Sequence, residues 1–476
     1  MAAAENGSTA PRGAAMPLGF MAGATYTFSI RRFMPLFAPL LALVGCSANK
    51  PPSPKSTPLF VPPPALATAS GPVGDRLPPV MLGIDLLEAE SFAAVKGKRL
   101  GLLTHPAGVN RRGERTSDVL RRAPGVKLVA LFAVEHGING EFPAGRNYDD
   151  YVDQRTGLPV RSLYDGKTRK PTKAQLKDLD ALVIDLQDIG TRSYTFISAM
   201  KLALSACFEN GIECIVLDRP NPLGGLKADG PLMDAANMSY VGAFRVPYVH
   251  GLTIGELARM AKEAPEAPGP YSIPEAARAK GRLTVVPMRG WTRSMRWSET
   301  GLAWVATSPL MQDIEAVKGY PMTGLGCELG GFNHGVGSQH AFRGVSHATV
   351  KLDALEKELR ALKLSGVRVS RISVPNGRTG QPGIGLYLEI TDYDAWRPTE
   401  LNFWLMKLAC KLEPKNPFAT AAAGPRSLFL HLMGSTAFFN DLVAKGRNVD
   451  IEGWLRTWRE QARIYQEQSR RFWIYR

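Results

Sequence analysis

The chain of 476 residues is 45% hydrophobic and 21% charged, with 58 Lys+Arg against 43 Asp+Glu and five cysteines. Such a composition supports at least one large buried core and two or three domains, and it excludes wholesale disorder, a disulfide-packed miniprotein and a collagen-like fibre. The net charge of +15 is spread thinly, with about +4 of it inside residues 1–76. Runs such as Lys167-Thr-Arg-Lys170 are too short for a groove-tracking stripe, so a solvated basic surface is expected, with no nucleic-acid partner.

Taken in chain order, Arg31-Arg32 precede an apolar run from Phe33 to Val44, then Gly45 and Cys46. The run is too short to span a bilayer, which needs about 20 apolar residues, and has the form of a cleaved export signal. Leu43-Val44-Gly45-Cys46 resembles a bacterial lipoprotein signal, which makes Cys46 the expected lipidation site. The simpler alternative is an exported soluble protein in which Cys46 merely follows the signal. Residues 47–79 are Pro-rich, extend as polyproline II and read as a tether. The expectation is export (signal 1–46), anchoring to a membrane through lipid, and a folded body on the periplasmic face of the envelope.

From residue 98 the chain alternates short apolar runs with helical patterns. Arg99–Leu103, Lys127–Phe132, Ala181–Ile184 and Glu213–Leu217 are near-continuous apolar stretches, as in strands covered on both faces of a parallel sheet. Thr116–Ala123, Lys173–Leu179 and Tyr194–Asn210 carry helical spacing, and Asn210-Gly211 supplies a stop. Strand alternating with helix predicts a doubly wound α/β domain over 80–318. Beyond 319, strands (Val367–Val374, Ile384–Ile390) mix with helices (Leu352–Leu362, Thr399–Leu412, Ile451–Arg471), predicting a smaller α+β domain to 476. Trp454, Trp458, Phe472 and Trp473 are expected as core anchors. Cys207 and Cys214 are expected buried as small apolar residues.

Ligands of doubly wound sheets bind beyond the carboxyl ends of the strands, and those ends are densely polar here. They are Thr104-His105, Glu135-His136-Gly137, Asp185-Leu-Gln-Asp188 running to Arg192, and Asp218-Arg219-Pro-Asn221. Any one alone reads as a cap or turn; together they point to an active site. The first strand is followed by no GxGxxG, and there is no P-loop, HExxH, GxSxG or CxxC, so neither a nucleotide nor a metal cofactor is expected. Carboxylate chemistry remains. A glycosidase needs a proton donor against an apolar wall and a second group acting as base, nucleophile or stabiliser of an oxocarbenium-like transition state. Glu135, after Leu131-Phe-Ala-Val134, suits the donor; Asp185 and Asp188 are candidates for the second group. Arg192 and Arg219 are read either as their structural partners or as grips on an anionic substrate group.

The series Gly101–Asn110, Leu131–Gly137, Gly157–Val160 with Ser162-Leu-Tyr164, Asp185–Thr195 and Leu217–Pro222 resembles the exo-beta-N-acetylmuramidase (NamZ-type) family. The likeness continues through Gly224-Gly225, His250–Glu256, Trp304–Pro309, Tyr320-Pro321 and Tyr475, covering about residues 80–476. It implies a Rossmann-like domain followed by a smaller one, and an exo-acting hydrolase that removes N-acetylmuramic acid from peptidoglycan fragments in cell-wall turnover. The resemblance assigns catalysis to Glu135, with Asp185 as its expected companion. It implies that His136, Asp188, Arg192, Tyr194, Asp218, Arg219, Asn221 and His250 line the cleft. The lactyl carboxylate of muramic acid gives Arg192 or Arg219 a purpose as a bidentate partner. One segment departs from the family pattern: Glu328-Leu-Gly-Gly-Phe-Asn333-His-Gly-Val-Gly337 retains Asn333, has Gly330 where a Glu is usual, and offers Glu328 as a substitute. A non-catalytic muropeptide-binding lipoprotein is the alternative that this departure keeps open.

Overall fold

The computed structural model describes residues 79–336, 340–375 and 383–476. The export signal, Cys46, the tether through residue 78 and Gly337 lie outside the described residues.

Seven strands form the first sheet: β1 (Arg99–Thr104), β2 (Lys127–Ala133), β3 (Tyr151–Val152), β4 (Pro159–Ser162), β5 (Ala181–Asp185), β6 (Glu213–Leu217) and β7 (Leu283–Val286). Their spatial order is β3-β4-β2-β1-β5-β6-β7. Every pairing is parallel except that of the short edge strand β3 with β4. Without β3 the order is that of a Rossmann sheet, whose strand order reverses between β1 and β5. The apolar runs are near-continuous because helices cover both faces: all of β5 is buried, and β1 is buried from its second residue on. The helix Thr195–Glu209 carries Phe196, Ile197, Met200 and Leu204 into the core beside β5, and ends at Asn210 with Gly211 at φ +71°. Leu–Ile–Phe burial of this kind contributes about 1.5–3 kcal/mol per side chain.

The second sheet is antiparallel, in the order β10-β11-β9-β8, from β8 (Phe332–Val336), β9 (His340–His347), β10 (Val367–Val374) and β11 (Gly383–Ile390). Against it packs the helix Glu400–Leu412. Its Phe403 ring lies 4.3 Å from Trp458 and 5.4 Å from Phe438. Trp458 and Phe472 are buried core residues, as the sequence predicts. The long helix Ile451–Ser469 returns the chain to the first sheet, where the Tyr475 hydroxyl donates to Asp218 at 2.6 Å. Cys207, Cys214, Cys327 and Cys410 are free thiols.

The long apolar strands fall within a residue or two of their predicted positions. The predictions miss β3, β4 and β7: all three are short, and β3 and β7 are the edge strands. They also miss β8, β9 and the helices Ala423–Met433 and Thr436–Lys445.

Candidate active site

Glu135 leaves the end of β2 through a tight turn. His136 and Gly137 follow it with φ +73° and +79°, two successive left-handed residues. A non-glycine residue in that region costs about 1–2 kcal/mol, and such strain gathers where a side chain must be aimed. The His136 ring helps hold the turn, its Nδ1 at 2.9 Å from the Phe142 carbonyl oxygen. Gly137 is required twice over, because a Cβ there would meet Glu141 Oε2 at 2.7 Å and the Phe142 ring at 2.9 Å. Three donors fix the Glu135 carboxylate: the Gly145 N–H (2.8 Å) and the Tyr164 hydroxyl (3.0 Å) on Oε1, and the Thr195 hydroxyl (3.1 Å) on Oε2. Thr195 opens the helix Thr195–Glu209, so the carboxylate stands at the positive end of a fifteen-residue helix.

Glu135 lines a cleft of about 550 Å³ between the first sheet and the C-terminal part of the chain. The walls are mainly apolar, from Phe142, Phe196, Leu310, Met311 and Phe342. Ser193, Tyr194, Tyr320 and two further carboxylates, Glu141 and Glu328, supply polar groups. This size and mixture suit one sugar ring with its substituents. Glu141 is tied back, accepting from the Asn139 N–H (2.9 Å) and the Tyr151 hydroxyl (2.7 Å). Glu328 is solvent-accessible but set among packed protein atoms. Their desolvation pushes its carboxyl above the ordinary range, and His334 pulls the other way. Burial likewise pushes the Tyr320 hydroxyl up to about 12; Tyr320 lies 3.1 Å from the Ser193 hydroxyl.

The structure brings Glu135, His136, Tyr194 and Glu328 to this cleft and places the other expected site residues elsewhere. Asp185, expected as the second catalytic carboxylate, is fully buried. Its oxygens are taken by Arg219 (Nε 2.5 Å, Nη2 2.9 Å) and by the Thr116 hydroxyl at 2.5 Å. Arg219 Nη2 also donates to the Val109 carbonyl at 2.7 Å. This ion pair sits at the reversal point between β1 and β5, beside a separate cavity of about 140 Å³ that Arg219 lines with Asn110 and Gln187. Arg192 is buried too, donating to the carbonyls of Pro231 (2.8 Å), Val246 (2.7 Å), Leu432 (3.1 Å) and Met433 (2.7 Å). The expectation that Arg192 grips a substrate carboxylate is therefore corrected, because its guanidinium is an internal staple; Arg219 is paired with Asp185 and lies outside the Glu135 cleft.

The remaining expected residues also form internal polar contacts. Asp188 accepts from the Gly190 N–H (2.8 Å) and pairs with His250 Nε2 at 3.1 Å. His250 Nδ1 accepts from the Leu252 N–H, which leaves the proton on Nε2. Asp218 receives Thr253, Gly255 and Tyr475, and Asn221 bridges the Leu252 carbonyl and the Leu223 N–H. Asn333 stands exposed on β8, bonded to Ser346 at 3.1 Å.

Sequence reasoning does not single out Tyr164 or Thr195 as partners of Glu135, although both lie in motifs it reads. The strand preceding Tyr164 has only four residues, and Thr195 resembles any helix-opening threonine. Glu141 escapes because nothing in its spacing separates it from other loop acids.

An α/β sheet with no phosphate cradle, opening into an apolar cleft with hydrogen-bonded and partly desolvated carboxyls, has the equipment of a carboxylate-dependent glycoside hydrolase. Residues 100–315 match the N-terminal model, and residues 318–475 the C-terminal model, of the exo-beta-N-acetylmuramidase NamZ family. The chain is 39% identical over 344 residues to the peptidoglycan beta-N-acetylmuramidase NamZ of Bacillus subtilis, covering 72% of this chain and 80% of that protein. The chain belongs to the NamZ exo-beta-N-acetylmuramidase family. Its fold is shared with a DUF1343 family protein from Bacteroides fragilis (35% identity, TM-score 0.73, 84% of this chain and 100% of that one). A second such protein from the same organism, at 24% identity and TM-score 0.60 over 83% of this chain and 99% of that one, shares the fold.

Proposed function

We propose that this protein is an exo-acting glycoside hydrolase that releases N-acetylmuramic acid from the non-reducing ends of peptidoglycan fragments, with Glu135 as its central catalytic residue. The observation that carries the reading is the strained Glu135-His136-Gly137 turn, which delivers a carboxylate held by three donors into a sugar-sized cleft. Glu328 takes the companion place first expected of Asp185. The environments of the two carboxyls differ in the way that assigns acid and base roles. The raised Glu328 carboxyl keeps its proton more readily and donates it to the departing oxygen. Glu135, an acceptor of three hydrogen bonds, carries negative charge against the oxocarbenium-like transition state or activates water. This reverses the donor role that the apolar run before Glu135 suggests on its own.

The test is hydrolysis of a chromogenic N-acetyl-β-muramide. Glu135→Gln lowers kcat at least a thousandfold while binding of N-acetylmuramic acid persists; a variant retaining a tenth of wild-type turnover removes Glu135 from this role. We further propose that the chain is exported and lipidated on Cys46, with peptidoglycan fragments met at the periplasmic face of a membrane. Metabolic labelling with a radioactive fatty acid should mark the wild type and not Cys46→Ser; equal labelling overturns the anchor.

A further inference from the structure

The cavity of about 140 Å³ at the reversal point between β1 and β5 shares no lining residue with the Glu135 cleft. Sheets of this class bind their ligands at that point. Gln187 and Arg219 line the cavity from beyond the ends of β5 and β6, Arg111 and Arg112 from the loop after β1, and Trp297 and Trp304 from the chain after β7. Among the described residues the lining includes three arginines and no Asp or Glu, which favours an anionic ligand. Arg111 and Arg112 also reach carboxylates outside the lining, Asp85 at 3.8 Å and Glu88 at 3.0 Å, so the argument rests on Arg219.

Asp185 takes Nε and Nη2 of Arg219, and the Val109 carbonyl shares Nη2. These contacts fix the guanidinium plane and leave Nη1, which meets no acceptor among the described residues and is not an enclosed atom. Gln187 is arranged the opposite way. Its Nε2 donates to the carbonyls of Asp188 (2.8 Å) and Pro220 (2.9 Å), so the amide is fixed and Oε1 is left as an open acceptor. Arg219 and Gln187 are only 4% and 3% exposed, so neither side chain can turn to bulk solvent instead. Trp304 is pinned by its Nε1 on the Met311 carbonyl at 3.0 Å, and Trp297 packs edge-on against it at 5.0 Å. A fixed cationic donor, a fixed neutral acceptor and two indoles therefore line one small cavity. A cavity of about 150 Å³ takes up one benzene molecule, so the matching ligand has about six non-hydrogen atoms.

We propose that this cavity is a second ligand site, for a small 2-hydroxy carboxylate. The carboxylate accepts from Arg219 Nη1, the hydroxyl donates to Gln187 Oε1, and the short carbon chain lies against the indoles. Lactate has this size and both groups. A simple anion such as sulfate offers no donor to Gln187, and a neutral diol offers no charge to Arg219. The site is independent of the hydrolase reading.

The probe is lactate, titrated into the whole protein while NMR follows the indole N–H signals of Trp297 and Trp304. The wild type should show saturable shifts at millimolar lactate. Binding should be at least tenfold weaker for propanoate, which lacks the hydroxyl, and for methyl lactate, which lacks the charge. Gln187→Leu keeps the bulk and removes the acceptor, so it should weaken lactate at least tenfold and leave propanoate within twofold. Ala303→Phe places a ring at an exposed lining position and should abolish the shifts, with kcat and KM for muramide hydrolysis unchanged. A wild type without saturable shifts overturns the proposal, as does one that binds propanoate or methyl lactate as tightly as lactate, whether or not any variant folds. So does a folded Gln187→Leu protein that binds lactate like the wild type, or, should that variant not fold, an Ala303→Phe protein that still shows the shifts. None of these readings depends on hydrolysis, so the failure of one proposal leaves the other standing.

Discussion

Replacing Arg192 with methionine separates a staple from a substrate ligand. The guanidinium donates to four carbonyl oxygens, and two of them, on Leu432 and Met433, close the helix Ala423–Met433, whose last carbonyls lack helical partners. A hydrogen bond from a charged donor contributes about 1.5–3 kcal/mol, so losing all of them removes on the order of 6 kcal/mol or more. Part of this is offset. Burial holds the Arg192 guanidinium down to about 10, a cost near ~3 kcal/mol that methionine does not bear. The net loss of stability is then about 3 kcal/mol or more, at the upper end of single substitutions. Urea unfolding of both proteins reads this number directly. KM measured at a temperature where both stay folded should agree within twofold. A stability loss below about 1 kcal/mol, or a tenfold rise in KM at undiminished stability, refutes the staple and returns Arg192 to the substrate.

Three further outcomes follow from the same geometry. Glu328→Gln should depress hydrolysis of a substrate with a poor leaving group, such as a disaccharide, by about a hundredfold, yet spare an activated aryl muramide, because only the poor leaving group needs a proton; equal losses on both remove Glu328 as the acid. Gly137→Ala places a Cβ 2.7 Å from Glu141 Oε2 at φ +79°, so kcat should fall at least tenfold with a stability loss of about 1–2 kcal/mol; full activity would show that the turn does not aim Glu135. Burial raises the Asp218 carboxyl to about 6, against hydrogen bonds from Tyr475, Gly255 and Thr253 that lower it. The fold therefore favours the protonated form, and the stability this group adds is complete below about pH 4 and is lost as pH rises through 6, by about 3 kcal/mol. Asp218→Asn lacks that titration, so the stability difference between the two proteins should drift by that amount between pH 4 and 7, and a flat difference would refute it.

The sheet was legible because its central strands are covered on both faces, which leaves short continuous apolar runs such as Ala181-Leu-Val-Ile184 that alternate with longer helical patterns. Pro159–Ser162 and Leu283–Val286 escaped for the complementary reason: they are short and half-buried, and they pair with strands about 29 and 69 residues earlier in the chain. Glu135 stands out in the sequence because a strand end, an acid and a glycine stand together in the chain, and the structure places it in a cleft.

What the chain order does not reveal is which polar strand ends are already answered from within. Asp185 and Arg219 are 34 positions apart and read equally well as two ligands or as one ion pair; only the fold shows that they meet, with Thr116 completing the set. Once they do, the pair occupies the reversal point, and the cleft that holds Glu135 opens one strand over, beyond the end of β2. The arginines of the conspicuous motifs turn to protein partners, Arg192 to four backbone carbonyls and Arg219 to Asp185. Partners distant in sequence, such as the Leu432 and Met433 carbonyls that Arg192 meets, decide which polar groups are held inside and which line the cleft.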